Sequence, residues 1–155
     1  MSNKKPSNRI RSAVILVQNG KVALIQRDRA GKTYYLFPGG GVEHPETLEQ
    51  AAIREAQEEL GVDVEVEGLG AIVRFRDLSL SDKAQYYFHA HIVGGEFGRG
   101  EGEELFAEEI SESGSYHPVW VALEELYKND VRPIALKEAL QERTLVKGVV
   151  LEIEE

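Results

Sequence analysis

A run of acidic, basic and glycine residues with a regular spacing occupies residues 40–62 of the chain. Its members are, in order, Gly40, Glu46, Arg54, Glu55, Glu58, Glu59 and Gly61. Carboxylates this close repel one another unless a cation lies among them. Hard divalent cations such as Mg²⁺ prefer oxygen ligands and keep part of their water shell. The run therefore predicts a metal site with positions open for the oxygens of a substrate phosphate.

A helix must present these carboxylates, and its ends can be read from the sequence. Thr47 and Gln50 have the form of a capping box, and an apolar stripe follows them. Gly61 suits the left-handed conformation that ends many helices. The pattern predicts a helix over residues 47–60.

The three glutamates of this helix share one edge. At ~100° per residue, Glu55, Glu58 and Glu59 fall within one sector beside the apolar stripe. A glutamate-rich helix face is most often solvated surface. Here the glycines, Glu46 and Arg54 all stand where a metal-binding loop-helix-loop requires them, and this favours a site over a surface.

Three consecutive glycines precede the helix. Gly39, Gly40 and Gly41 follow an apolar stretch that ends at Phe37. Without side chains, this backbone can pass close to a metal ion or a phosphate group. We expect the loop to contact the substrate, and a carbonyl there could be a further metal ligand.

The spacing of these residues resembles the signature of the Nudix hydrolases. That resemblance implies a loop-helix-loop in which the Gly40 backbone and three side chains hold the metal ions. The three side chains are those of Glu55, Glu58 and Glu59. By the same resemblance, Arg54 orients a neighbouring carboxylate through a charge-assisted fork, and Glu46 ties the loop to the helix or lies in the outer metal shell.

The resemblance also implies a fold and a reaction. The fold would be α/β, an α/β/α sandwich with a mixed sheet and the catalytic helix on one side. The reaction would be Mg²⁺-dependent hydrolysis, with Mn²⁺ as a substitute, of a nucleoside diphosphate linked to another group X. The products would be a nucleoside monophosphate and P-X or pyrophosphate. The alternative is a non-catalytic module of the same fold that senses a nucleotide and reports to a partner.

The general base is left open between three candidates. Many relatives carry a glutamate shortly before a strand that contains a tryptophan, but no carboxylate stands just ahead of Trp120. A glutamate of the acidic segment after residue 100, for which we choose Glu109, can fold inward. Glu58 or Glu59 can activate the water directly. His117 can also serve, although a structural hydrogen bond is the plainer interpretation of a histidine at a strand start.

Contacts to the substrate outside the motif are fewer. Arg27 ends the strand before the glycine loop and could grip a phosphate. His89 and His91 alternate along a strand, where packing is a better interpretation than a zinc site without an evident third ligand. Relatives that cleave ADP-ribose or dinucleoside polyphosphates often have a proline or tyrosine a short distance past the motif. Residues 76–79 contain neither, which favours nucleoside triphosphates, including oxidised ones, as substrates.

Composition bounds the remaining possibilities. The chain has 155 residues, 42% of them apolar, which suits one domain over residues 9–155 after a flexible tail of residues 1–8. A net charge of -9 argues against extended nucleic-acid binding. The chain contains no cysteine, and no apolar run is long enough to span a membrane, so we expect a cytoplasmic protein with a small nucleotide as its partner. Oligomeric state stays open, a homodimer included.

The rest of the chain predicts strands interleaved with short helices. Strands are expected at residues 13–17, 22–26, 34–37, 64–66, 71–75, 86–93, 116–121 and 146–153. Asn19 and Gly20 predict a hairpin between the first two. Helices are expected at 123–128 and 133–141, and a mobile acidic loop at 94–114.

Overall fold

The computed structural model describes residues 9–75, 82–99 and 115–155. Within them the strands are β1 (Arg9–Gln18), β2 (Lys21–Arg29), β3 (Lys32–Leu36), β4 (Gly39–Gly41), β5 (Val62–Arg74), β6 (Asp82–Gly95), β7 (Ser115–Ala122), β8 (Val131–Arg132) and β9 (Leu151–Glu154). The helices are α1 (Leu48–Leu60), a 3₁₀ helix (Leu123–Lys128) and α2 (Ile134–Gln141). The predicted tail of residues 1–8 lies outside the described residues.

The strands form one mixed, curled sheet. Its order is β8-β3-β2-β1-β6-β5-β9, with β4 paired to β1 and β7 paired to β2. The pairs β1–β6, β3–β8 and β5–β9 are parallel, and the other pairs are antiparallel. The predicted α/β class with a mixed sheet is confirmed.

On one side, β1 pairs with β2 near its end and with β4 near its start. Strands β1 and β2 pair only next to their hairpin, at Val17↔Val22 and Gln18↔Lys21. Asn19 and Gly20 form its turn with φ angles of 55° and 77°, which confirms the predicted hairpin. Farther along β1, the place of β2 is taken by β4, whose Gly40 lies opposite Ser12. The three glycines thus form a short strand beside the start of β1.

Two apolar cores lie on opposite faces of the sheet. The side chains of β1 alternate between them, as the two-residue period of a strand requires. Val14 and Leu16 pack in the core that contains Ala52 and Leu60 of α1. Ala13 and Ile15 pack in the core that contains Leu136 and Leu140 of α2. The sheet is therefore the middle layer between α1 and α2.

Several predicted element boundaries differ from the structure. The strands expected at 64–66 and 71–75 are one strand, β5, because register shifts on either side of Gly68 absorb the irregular residues. The last strand begins at Leu151 rather than at residue 146, since Gly148 has a φ of 87° in a turn. The predicted helix at 123–128 is a 3₁₀ helix.

The acidic segment is described only at its start. Residues 94–95 end β6, and the following turn packs on the end of α1, where the Gly98 N–H donates to the Leu60 carbonyl at 2.8 Å. Residues 100–114 of the predicted mobile loop lie outside the described residues. No helix in the described ranges has both the length and the apolar composition needed to cross a membrane.

Candidate active site

Helix α1 begins and ends where the sequence predicts. The Thr47 hydroxyl accepts a hydrogen bond from the Gln50 N–H at 3.0 Å, and the Gln50 side chain accepts one from the Thr47 N–H at 2.8 Å. Gly61 has a φ of 83°, and its N–H donates to the Gln57 carbonyl at 3.0 Å. The capping box and the left-handed glycine end are both confirmed.

The start of α1 is fixed to the sheet. The Ser12 hydroxyl of β1 donates a hydrogen bond of 2.6 Å to the Leu48 carbonyl in the first turn. Ser12 is fully buried and lies opposite Gly40 in the β1–β4 pair. One strand therefore holds both the glycine backbone and the helix that carries the glutamates.

Arg54 is the centre of a cluster of carboxylates. Its guanidinium donates two hydrogen bonds to the Glu46 carboxylate, at 2.7 and 3.0 Å, and one to the Gly41 carbonyl at 3.0 Å. Its Nη1 contacts Glu55 Oε2 at 3.0 Å and Glu58 Oε1 at 3.3 Å. The Glu43 N–H donates to the Glu46 carboxylate at 2.8 Å. Arg54 and Glu46 thus join the glycine strand, the following loop and the helix.

The glycine strand also lies against Glu59 and Glu55. The Gly39 N–H donates to Glu59 Oε1 at 3.0 Å. A Cβ on Gly40 would overlap the Glu55 carboxylate and lie 2.6 Å from its Cδ. On Gly39 it would lie 2.7 Å from Ala13 Cα. The glycines are therefore required by close approach, on one side to the Glu55 carboxylate and on the other to β1.

The electrostatic environments of the glutamates differ. Burial raises the pKa of Glu55 above its ordinary value, and the nearby Arg54 cation opposes this effect. The hydrogen bonds from Arg54 lower the pKa of Glu46, and the Glu46 carboxylate in turn raises the pKa of Arg54. A negative charge on Glu55 is disfavoured by burial, so a cation nearby would stabilise its ionised form.

The donor set fits a hard divalent cation. It consists of carboxylate oxygens and the carbonyls of a backbone without side chains, and Mg²⁺ and Mn²⁺ take such oxygens. In the described part of the chain, no three acidic or histidine side chains converge as ligands. The carboxylates of Glu55 and Glu58 are instead held by Arg54, and that of Glu59 by Gly39. A bound cation would therefore compete with these protein donors for the same oxygens.

A cavity of about 290 Å³ opens on this cluster. Its lining residues are Arg11, Ile25, Leu36, Phe37, Gly39, Gly40, Gly41, Glu55, Glu59 and Tyr116. Glu58 is not among them, and its side chain is 46% exposed. Arg11 was not predicted from the sequence. Its place beside the glycines depends on the pairing of β1 with β4, which no local pattern reveals.

The remaining candidates from the sequence that the structure describes do not line this cavity. Arg27 is 7% exposed and does not line the cavity. Its Cζ lies over the Tyr116 ring, 3.8 Å from the ring centroid, and Tyr116 does line the cavity. His117 is an exposed residue of β7 whose Nε2 lies 3.9 Å from Asp28. Glu109 lies outside the described residues. Burial lowers the pKa of His89, while His91 lies on the sheet surface between Glu65 and Glu67.

Comparison with known proteins agrees with this geometry. The NUDIX domain profile matches residues 8–142. An 8-oxo-dGTP diphosphatase from Proteus vulgaris is 41% identical over 66 residues, which are 41% of this chain and 58% of that protein. A CTP pyrophosphohydrolase from Escherichia coli (strain K12) is 43% identical over 58 residues, 35% of this chain and 42% of that protein. The matches thus span about half the length of these relatives.

The fold is also similar to that of a solved structure. A NUDIX hydrolase from Nitrosomonas europaea superposes with a TM-score of 0.65 at 23% identity, over 99% of this chain and 82% of that one. The profile match covers most of the chain and includes the whole loop, helix and glycine strand described above. The chain belongs to the Nudix family, as the spacing of its glycines and charged residues indicated.

Proposed function

We propose that the protein is a metal-dependent pyrophosphohydrolase. It hydrolyses a nucleoside diphosphate linked to a group X and releases a nucleoside monophosphate with P-X or pyrophosphate. The proposed substrate class is nucleoside triphosphates, oxidised ones included. The observation that carries the proposal is the joint lining of one cavity by the glycine strand and by the carboxylates of Glu55 and Glu59.

Each part of this arrangement suits hydrolysis of a phosphoric anhydride. Nudix enzymes generally use divalent metal ions and act on small nucleotide substrates. Mg²⁺ bound to the glutamates would neutralise charge on the phosphate oxygens and activate water. Gly39–Gly41 line the cavity beside Glu55 and Glu59, and Arg54 holds the Glu55 carboxylate before substrate arrives.

The names of two relatives support the substrate class. They are a diphosphatase of 8-oxo-dGTP and a pyrophosphohydrolase of CTP, both nucleoside triphosphates. The sequence marker for ADP-ribose or dinucleoside polyphosphates is missing from residues 76–79. A single domain over residues 9–155 and a cytoplasmic location are parts of the same proposal.

The test is a Mg²⁺-dependent release assay over a panel of candidate substrates. The panel contains nucleoside triphosphates, oxidised nucleotides, nucleotide sugars, ADP-ribose, dinucleoside polyphosphates and capped RNA. The variant is Glu58→Gln, and Glu49→Gln is the matched control because Glu49 is an exposed residue of the same helix. We expect turnover of one class that falls about a hundredfold or more in Glu58→Gln alone.

The assay can also contradict the proposal. Tight nucleotide binding without Mg²⁺ and without turnover on any substrate would favour the nucleotide sensor. Hydrolysis in water labelled with heavy oxygen must leave the label in one product, and absence of label from both products would exclude attack by water.

The same assay assigns the general base. We propose a glutamate of the acidic segment, Glu109, and test it against His117 with Glu109→Gln and His117→Asn. A loss of kcat in the first variant alone supports Glu109. If neither variant loses activity, the role passes to Glu58 or Glu59 of the helix.

A further inference from the structure

A second cavity adjoins the one that contains the glutamates. Its volume is about 420 Å³, and it has three aromatic residues in its lining: Phe37, Phe75 and Tyr87. Arg11, Leu36 and Phe37 line both cavities. Arg11 is the one charged residue common to the two linings. A ligand that extends from one cavity into the other must therefore pass its guanidinium.

Strand register explains why Arg11 is placed between the cavities. In β1, Arg11 lies opposite Gly41 of β4 on one side and opposite Gln85 of β6 on the other. Side chains of directly paired residues in a sheet point to the same face. Gly41 has no side chain to occupy that face, and Gln85 lines the second cavity. The row of three residues thus leads from the glycine strand to the aromatic cavity.

The guanidinium of Arg11 is oriented by a backbone carbonyl, and its charge acts on the nearby Glu55 carboxylate without an ion pair between them. Its Nη2 donates to the Phe37 carbonyl at 3.0 Å, which uses one donor of a group that has several. In the described residues no carboxylate forms an ion pair with Arg11, whereas Arg54 has four such partners. A half-buried arginine whose remaining donors make no direct carboxylate contact can bind a phosphate through a charge-assisted fork.

The lining of the second cavity combines aromatic and aliphatic residues with the polar residues Gln85, Arg132 and Glu155. Phe37 and Tyr87 meet edge to face, with ring centroids 5.5 Å apart. The Tyr87 hydroxyl donates to Gln85 Oε1 at 2.5 Å, which leaves the Gln85 amide N–H₂ to donate elsewhere. Aromatic walls with a few oriented polar groups are typical of small-molecule sites.

We propose that Arg11 binds the substrate phosphate that is attached directly to the organic group. The substrate then spans both cavities, with the anhydride beside the glutamates and the organic group on the aromatic side. This inference rests on the proposed function and adds to it a substrate-binding residue outside the loop-helix-loop.

The test compares binding of nucleoside monophosphates with binding of the corresponding nucleosides. AMP, CMP, GMP, UMP and their four nucleosides are titrated into the whole chain with Mg²⁺ present. The wild type should bind at least one monophosphate about ten- to a hundredfold more tightly than its nucleoside. Arg11→Gln should remove this preference by weakening the monophosphate alone. Arg11→Lys should restore part of it.

Two matched variants separate local from general effects. Arg99→Gln removes an exposed arginine that lines neither cavity, and the preference should be unchanged. Gln85→Leu should weaken a monophosphate and its nucleoside by the same factor, since it removes the contact to the organic group and the hydrogen bond from Tyr87 but no contact to the phosphate.

Two results would overturn the inference. Equal weakening of nucleoside and monophosphate by Arg11→Gln would mean that Arg11 only supports the Phe37 backbone. A wild type that binds a monophosphate no better than its nucleoside would mean that no phosphate is bound between the cavities. Both results are compatible with Mg²⁺-dependent turnover, so failure here is distinguishable from failure of the proposed hydrolysis.

Discussion

Two groups of carboxylates around a basic side chain occur in the described structure, and they differ in their surroundings. The Arg54 cluster consists of Arg54, Glu43, Glu46, Glu55 and Glu58. The His91 cluster consists of His91, Glu65, Glu67 and Lys147. The first lies beside glycines and a cavity, whereas the second lies on the outer surface of β5 and β6.

The two clusters differ in their least exposed carboxylate, which is Glu55 at 11% in the Arg54 cluster and Glu67 at 24% in the His91 cluster. In the His91 cluster, His91 is 46% and Glu65 is 68% exposed. In the Arg54 cluster, the Glu55 side chain is 11% exposed, and Arg54 also donates to a glycine carbonyl. Exposed ion pairs contribute little to stability, at most about 1 kcal/mol. Clustered charge alone does not make a site; a close backbone and a cavity are also needed.

The strongest test of this contrast replaces Glu59, which lines the cavity beside the Arg54 cluster, and Glu65 of the His91 cluster. Glu59→Gln should lower kcat about a hundred- to a thousandfold, because the amide can keep the bond to the Gly39 N–H but loses the charge. Glu65→Gln should change kcat by less than about twofold. Steady-state kinetics on the substrate found in the panel, with thermal unfolding as a check on folding, measures both. Similar losses in the two variants would remove the distinction between the clusters.

The second test replaces the cation of each cluster. Arg54→Lys keeps the charge but loses the fork that bonds Glu46 twice, so kcat/KM should fall about ten- to a hundredfold. Lys147→Met removes a side chain that is 68% exposed, and the free energy of unfolding should change by less than about 0.5 kcal/mol. Enzyme assays and urea unfolding are the measurements. An Arg54→Lys enzyme with unchanged kcat/KM would show that the fork does not orient the glutamates.

Local patterns predicted the helix that carries most of the Arg54 cluster. The capping box at Thr47 and the glycine end at Gly61 depend on residues three or four positions apart, and the sequence displays such spacings directly. The same is true of the contact between Arg54 and Glu58, which are neighbours on one helix face. The helix and its charged edge therefore follow from short-range spacing alone.

Contacts between distant parts of the chain could not be predicted in this way. Arg11 reaches the Phe37 carbonyl across 26 positions, and its place depends on the pairing of β1 with both β4 and β6. Lys147 joins Glu67 because the chain after α2 returns to the sheet face. Strand β5 was predicted as two strands, at 64–66 and 71–75, for a related reason, since only pairing with β6 shows that the residues between them continue the strand. Tertiary pairing decides all three features.

A third test adds a methyl group to a glycine near each cluster. On Gly40 the new Cβ would meet the end of the Glu55 side chain, which can rotate away, so Gly40→Ala should displace the carboxylate and lower kcat about tenfold. On Gly70 it would lie 2.8 Å from Nε2 of the buried His89 ring, which has less freedom to move. Gly70→Ala should therefore lower stability by about 1–3 kcal/mol.

The two glycine variants should separate activity from stability. Gly70→Ala should keep the kcat of the wild type below its unfolding temperature, and Gly40→Ala should keep the unfolding temperature. Kinetics and calorimetry on both proteins decide the point. A loss of kcat in Gly70→Ala would connect the His91 side of the sheet to catalysis and weaken the contrast between the two clusters.

The smallest expected effect concerns pH, and its sign differs between the clusters. Burial raises the pKa of Glu55, so ionisation of this group costs the folded state free energy as pH rises through the raised pKa. Glu55→Gln cannot ionise, and its metal-free form should become more stable than the wild type as pH rises from about 4 to 7. Contacts with Lys147 and His91 lower the pKa of Glu67, and its stabilisation is present above its ordinary pKa and lost as pH falls through the lowered one.

Urea unfolding between about pH 3 and 7 in the presence of a chelator measures both effects. Glu67→Gln should be less stable than the wild type near neutral pH by no more than about 1 kcal/mol, because the group is exposed and screened. The difference should vanish in acid. For Glu55→Gln the difference should have the opposite sign and grow towards neutral pH. If the two variants followed the same curve, burial would not distinguish the carboxylates, and the functional assignment of the Arg54 cluster would depend on the glycine strand and the cavity alone.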